Sequence, residues 1–201
     1  TGLARLWPVA AAGADAATLP PPPPDQSLVG QLQEARVRSG DTLLDIARRY
    51  NVGVVELEDA NLGVDPWLPA VGQRVVIPSQ YLLPATPRRG IVVNLPELRL
   101  YYYPPAAPGQ PRVVMTYPLG IGSEGRAIPV AETRIIAKQT DPPWVVPKSI
   151  LAEHAAEGDP LPKVVPPGPD NPLGRYALRL GLAGSFLIHS TNHPYSVGMR
   201  T

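Results

Sequence analysis

The clearest pattern along the chain lies between residues 35 and 78. Leu43, Ile46, Ala47 and Tyr50 fall at i, i+3, i+4 and i+7, which places them on one face of a helix. Asp41 precedes them and is the expected cap, since a carboxylate there accepts from backbone N–H groups one turn on. Asn51-Val52-Gly53 stops that helix. A second helix is predicted from about Val54 to Ala60, with Leu57 and Ala60 inward, ended by Asn61-Leu62-Gly63. Ala35-Arg36-Val37-Arg38 reads as an opening strand and Arg74-Val75-Val76-Ile77 as a closing one, with a turn at Asp65-Pro66 between. The segment is a small βααβ unit.

From Ile91 onward the pattern becomes that of strands. Ile91–Asn94 and Leu98–Tyr103 are β-rich runs joined by the hairpin-length turn Leu95-Pro96-Glu97. Val113–Tyr117, Thr133–Ala137, Tyr176–Leu180 and Phe186–His189 follow. Spaced short strands with turn residues between them predict a mainly β domain, sandwich- or barrel-like. Between Asp141 and Gly174 lies a long Pro-rich insertion with one helical piece, Ile150–Glu157. The fold class is therefore α+β: a βααβ module followed by a mainly β domain. Pro20 to Pro24 form an unbroken proline run, expected as a stiff polyproline II spacer that separates the N-terminal tail from a fold beginning near Ala35. Gln80 to Gly90 is a connector in which Arg88 and Arg89 are expected to be solvated.

Composition narrows the picture. The chain has 201 residues, with 18 Lys plus Arg against 17 Asp plus Glu and a net charge of +1. That balance speaks against a nucleic-acid partner. Its 28 Pro and 18 Gly are nearly twice the ordinary combined share of about 12% and exclude a helical bundle. No apolar run is long enough for a membrane-spanning helix. Residues Leu3 to Ala17 are apolar and Ala-rich; a secretory-signal tail ending near Ala10-Ala11-Ala12 and an unstructured terminus both fit. Cys is absent, so these residues hold no disulfide, thiolate metal site or cysteine nucleophile.

Ser39-Gly40-Asp41-Thr42-Leu43, then Ile46-Ala47-Arg48-Arg49-Tyr50-Asn51-Val52, and finally Gly72-Gln73-Arg74-Val75-Val76-Ile77-Pro78 resemble a LysM domain. The resemblance implies binding of N-acetylglucosamine polymers such as peptidoglycan glycan strands. The sugar would lie in a shallow groove between Gly40, Asp41, Thr42 and Leu43 on one side and Asn61, Leu62 and Gly63, up to Val64, on the other. For Gly40 and Asp41 individually, turning and capping is the competing reading.

The second region resembles the L,D-transpeptidase catalytic domain. The carrying residues are Val92-Val93-Asn94-Leu95, Leu98-Arg99-Leu100-Tyr101-Tyr102, Tyr117-Pro118-Leu119-Gly120-Ile121-Gly122, Asn171-Pro172-Leu173-Gly174 and Ile188-His189-Ser190-Thr191-Asn192. Two departures stand out: Ile128 occupies the place of the usual Thr before Pro129, and Ala131 that of the usual Gly. The resemblance gives four parts: residues 1–34 as tail and linker, 35–79 as LysM, 80–90 as connector and 91–201 as the catalytic domain, incomplete at its C-terminus. In that family S-H-G-C follows the His, and its Cys is the nucleophile. The sequence stops at Met199-Arg200-Thr201, so the missing Cys reads as truncation, and these residues alone are expected to be inactive.

The family chemistry is acyl transfer. A thiolate attacks the carbonyl of the third residue of a peptidoglycan stem peptide and D-Ala leaves. The thioester then passes to an amine of a neighbouring stem or of an envelope lipoprotein. A free thiol titrates near about 8.5 and an imidazole near about 6.5, so an adjacent His can take the proton. His189 matches that base, and Ser190 would orient it through its backbone carbonyl. From the residues alone, a structural hydrogen-bonded His stays an open reading. His189 and His193 have metal-ligand spacing, but Asn192 and Pro194 oppose a helix there; no metal and no cofactor is expected. Tyr101 to Tyr103 and Trp144 fit core packing better than a substrate groove, and Glu124 to Arg126 and Asp141 to Trp144 adjoin the site in sequence only. The resemblance implies a periplasmic or cell-envelope location. The alternative function is a non-catalytic glycan-binding wall protein. A chain lacking the family's next segment is also expected to expose a sheet edge or an apolar patch near its C-terminus.

Overall fold

The structure, a computed structural model, describes residues 17–23, 25–122, 128–184 and 186–199. The alanine run Ala10–Ala12, Pro24, Glu124 to Arg126 and Thr201 lie outside the described residues. The chain divides into two compact units, residues 1–126 with 195–201, and residues 127–194.

In the first unit the βααβ module consists of β1 (Gln33–Arg36), α1 (Leu43–Tyr50), α2 (Val54–Asp59) and β2 (Arg74–Ile77). β1 and β2 pair antiparallel from Gln33 opposite Ile77 to Arg36 opposite Arg74. The opening strand thus sits earlier than the expected 35–38. Val37 stays buried but leaves the ladder, its N–H donating to Gln73 O (3.0 Å) as the chain turns. Helices this short are unstable alone; these are held by a common core of Leu43, Ile46, Ala47, Val54, Leu57, Val75 and Ile77 among others. On α2 the inward residues are Val54 and Leu57, while Ala60 is half-buried at the C-cap.

The cap differs from expectation too. Thr42, not Asp41, is the N-cap of α1: Asp45 N–H donates to Thr42 Oγ1 (3.2 Å) and Thr42 N–H to Asp45 Oδ2 (3.0 Å). Asp41 instead accepts from Arg38 N–H (2.9 Å) and pairs with Arg49. At the other end Asn51 takes a left-handed conformation, and Arg48 and Arg49 place positive charge in the last turn.

Strand pairing draws in residues on both sides of this module. β3 (Leu28–Gly30) pairs with β4 (Gln80–Leu82), and β5 (Ala17–Leu19) pairs with β6 (Val114–Pro118). β7 (Gly90–Asn94) and β8 (Arg99–Tyr103) complete a four-stranded sheet in the order β5-β6-β8-β7. The fold therefore begins before Ala35, and the proline run does not set the described tail residues apart. Three-residue strands carry no readable alternation; their partners, far away in sequence, define them.

This sheet and the helical module share a buried charge. Arg99 is 1% exposed. Its guanidinium donates to Glu56 Oε2 on α2 (2.6 Å) and Thr116 Oγ1 (3.1 Å), and lies 4.0 Å from the centre of the Tyr81 ring. Asn51 Nδ2 donates to Thr116 O (3.1 Å). Met199 packs on the module's core, and a Cβ at Gly198 would stand 2.3 Å from the Cα of Gly53. Tyr101 and Tyr103 are buried in a second apolar cluster with Val29, Tyr81 and Val114, as core packing predicts.

The second unit contains β9 (Ile135–Thr140), β10 (Trp144–Val145), α3 (Lys148–Ala156), β11 (Val164–Val165), β12 (Tyr176–Leu180) and β13 (Leu187–His189). β12 is central in an antiparallel sheet of order β13-β12-β9, and β10 pairs with β11 inside the Pro-rich insertion. β13 lies at the sheet's edge, and Ile136 on β9 is exposed. The strands and few helices make an α+β chain, and among the described residues no sheet closes into a barrel.

Candidate functional site

His189 is the last residue of β13, opposite Ala177 of β12. Its side chain is exposed, and its Nδ1 lies 2.6 Å from the carbonyl oxygen of Ser190. A carbonyl only accepts, so in the neutral ring Nδ1 carries the hydrogen and Nε2 keeps its lone pair. A group that takes a proton needs that tautomer, held in place before reaction.

Ser190 reaches this arrangement through its main chain. Its Oγ accepts from Tyr176 N–H (2.8 Å) and faces the carbonyls of Leu173 (3.2 Å) and Tyr176 (3.3 Å). Its N–H donates to Tyr176 O (2.8 Å). The hydroxyl is occupied in holding the end of β13 against β12 and the turn before it.

That turn is Asn171-Pro172-Leu173-Gly174, and its contribution to the site was not legible beyond its shape. Asn171 is completely buried. Its Nδ2 donates to Pro142 O (2.9 Å) and Pro166 O (3.2 Å), and its Oδ1 accepts from Leu173 N–H (2.9 Å). Gly174 has φ +60°, and a Cβ there would lie 2.7 Å from Ser190 Oγ and 2.8 Å from Thr191 N. No side chain fits between the turn and the His189 strand, so a glycine is required. Asn192 Nδ2 donates to Pro169 O (3.0 Å) and His193 N–H to Thr191 Oγ1 (2.9 Å), shaping the segment that follows. Trp144 is half-buried on β10, and Asp141 lies 3.8 Å from Arg175.

The residues assigned to the glycan groove divide by role. Gly40, at φ +80°, has open space around its missing Cβ. Asp41 and Thr42 are engaged in the ion pair and the cap described above. Leu43 points its side chain into the core, and its N–H donates to Pro66 O (2.9 Å), tying the first loop to the turn at Asp65–Leu68. Asn61 is buried and spends its amide on Leu57 O (2.8 Å), Val76 O (2.8 Å) and Val76 N–H (2.7 Å). Leu62 and Gly63 are exposed. Any sugar contact from Leu43 or Asn61 therefore runs through the backbone.

Sequence reasoning missed Trp67 in this neighbourhood. Asp65 Oδ1 accepts from Trp67 N–H (2.8 Å) and Leu68 N–H (3.0 Å), and this turn leaves the indole 64% exposed. The available signal was a tryptophan directly after an Asp-Pro turn. Exposed aromatic rings with a polar edge serve at interfaces where one face is apolar and the other wet.

Residues 88–201 match the L,D-transpeptidase catalytic domain, and residues 35–78 match the LysM domain. The chain is 44% identical over 191 residues to the probable L,D-transpeptidase YcfS of Escherichia coli K12, covering 93% of this chain and 58% of that protein. It is 42% identical over 188 residues to the probable L,D-transpeptidase ErfK/SrfK of Salmonella typhimurium, covering 92% of this chain and 59% of that one. Against the putative L,D-transpeptidase YkuD of Bacillus licheniformis the identity is 27% over 164 residues, with coverage of 81% and 78%. The chain thus spans under two thirds of the length of the first two relatives.

Proposed function

Because the chain belongs to the L,D-transpeptidase family, with a LysM domain ahead of the catalytic one, we propose that it serves peptidoglycan acyl transfer in the bacterial cell envelope, in the periplasm. The observation that carries this reading is the exposed His189 with its Nδ1–H held on the Ser190 carbonyl and its Nε2 without a hydrogen-bond partner among the described residues. His189 is the base. A cysteine thiolate attacks the carbonyl of the third stem residue, D-Ala departs with a proton, and a thioester remains. An incoming amine, from a neighbouring stem or an envelope lipoprotein lysine, displaces the sulfur and forms the new amide. These 201 residues contain no Cys, so the thiol has to come from outside them.

Ser190 acts as a positioning residue through its main chain. The LysM domain holds glycan strands through Gly40, Asp41, Thr42 and Leu43 opposite Asn61, Leu62 and Gly63, with the exposed Trp67 beside them. In a form of the protein that supplies the thiol, His189→Ala is expected to abolish transfer from a tetrapeptide stem to an amine, read by mass spectrometry of the product, while a Ser190 variant keeps more of it. Full turnover in the His189 variant refutes the assigned base.

The absence of Cys favours a second reading for these residues taken alone, a glycan-binding wall protein without catalysis. Sedimentation with purified sacculi, with and without residues 35–78, tests it. Unchanged binding after deletion removes the LysM assignment of glycan affinity.

A further inference from the structure

The first unit contains a cleft of about 740 Å³ that the transpeptidase reading does not use. Arg88, Arg89 and Arg112 line it, and among the described residues the lining holds no carboxylate. In a chain with nearly equal numbers of acidic and basic residues, that is a local concentration of one sign. We propose that this cleft docks an acidic peptide segment.

Arg88 preorganises the site. Its guanidinium donates to Pro22 O (3.1 Å) and Pro23 O (3.4 Å) and to Gln26 O, strapping the proline run in place, where the sequence had suggested a solvated side chain. Pro21, Pro22, Pro104 and Pro105 also line the cleft. Prolines have a fixed φ and no N–H, so these walls are stiff and offer ring carbons and carbonyls only. The donors come from guanidinium groups, whose planar forks match carboxylates two bonds at a time. Arg112 is exposed and makes no ion pair or hydrogen bond with the described residues.

A second observation points the same way. Tyr103, which also lines the cleft, is 6% exposed, and its hydroxyl has no hydrogen-bond partner among the described residues. A buried hydroxyl left unpaired costs free energy that a bound acceptor recovers. Its phenol is pushed up by burial, against the nearby Arg88 charge. Asp25, on the same loop as the prolines, is exposed and not part of the lining.

An extended acidic chain fits better than a membrane surface. The site is concave, and none of its residues is among the large exposed hydrophobic side chains that would enter a bilayer. Stiff apolar lining together with guanidinium groups suits an extended peptide that carries carboxylates.

Fluorescence anisotropy of a labelled tetraglutamate peptide with the whole chain tests this. Binding is expected, weaker at high salt because the contacts are partly exposed. Arg112→Glu, and separately Arg89→Gln, should weaken it, the former by about tenfold, with circular-dichroism melting unchanged. Arg179→Glu, an exposed site on β12 with the same charge change, should leave it intact. No binding, or equal loss in the Arg112 and Arg179 variants, overturns the proposal. So does equal affinity for inorganic phosphate or for vesicles of anionic phospholipid, which would make the cleft a general anion or lipid site.

Discussion

The LysM domain and the unit that carries His189 are held together by different means. In the LysM domain a continuous apolar cluster does the work, with Leu43, Ile46, Leu57 and Ile77 fully out of water. In residues 128–194 the only buried positions among those described are Pro142, Val146, Asn171, Leu173 and Ala177. Helix α3 buries nothing, and β9 keeps a single half-buried residue. Order there rests on strand pairing and on the amide of Asn171, which ties three stretches of backbone together. An apolar core tolerates imprecise direction, because burial depends on area. A polar brace holds atoms at fixed distances, which the placement of an imidazole needs.

The contrast can be broken from either side. The largest effect is expected for Leu57→Ala, which empties a fully buried site: about 3 kcal/mol of stability lost from the LysM domain. Thermal denaturation and amide exchange should show protection falling over 35–78, with residues 176–189 little changed. If both regions lose protection together, the division proposed here is wrong.

Asn171→Ala should come next. It leaves the carbonyl of Pro142 and the N–H of Leu173 without their partner, a cost of about 2 kcal/mol. Exchange at Tyr176 and Ser190 should quicken while the LysM amides stay protected. A smaller apolar contact in the same unit, Val146→Ala, should matter less; the reverse order would mean that packing dominates there as well.

Thr42→Ala removes the cap of α1 and should cost about 1 kcal/mol, visible as a lower melting temperature confined to the LysM domain. Thr42→Ser, which keeps the hydroxyl, should recover most of it.

The smallest effect is that of acid. Hydrogen bonding from Arg49 holds the Asp41 carboxyl below its ordinary range, and Thr42 does the same for Asp45. A depressed folded pKa adds stability above the unfolded value, and that addition disappears as pH falls through the folded value. The LysM domain should therefore melt progressively lower below about pH 4. Asp45→Asn should flatten that decline; an unchanged slope would remove these carboxylates from the account.

The reading of the LysM domain succeeded because its information is local. Spacing at i, i+3 and i+4 selects the face of α1, and Asn51 and Gly53 end it within a few residues. Even so, the choice of Thr42 over Asp41 as cap was not readable, because either side chain can accept. Arg49, eight residues beyond Asp41, decides it by pairing with the carboxylate. Near His189 the hairpin strands, the turn at Asn171–Gly174 and the tip of β13 were legible as patterns. Their joint consequence, a tautomer held by the next residue's carbonyl, required coordinates.

By itself the sequence determined which segments become helix and strand wherever apolar spacing repeats, and it determined that no thiol lies within these residues. Tertiary structure decided that residues 17–19 join a sheet with Val114–Pro118, that Arg99 is buried against Glu56, and that Gly174 must lack a side chain beneath Ser190. The reason is range. Periodicity and capping act over a turn or two of chain, whereas strand partners, buried ion pairs and close backbone contacts join residues tens of positions apart, and only folding brings them into contact.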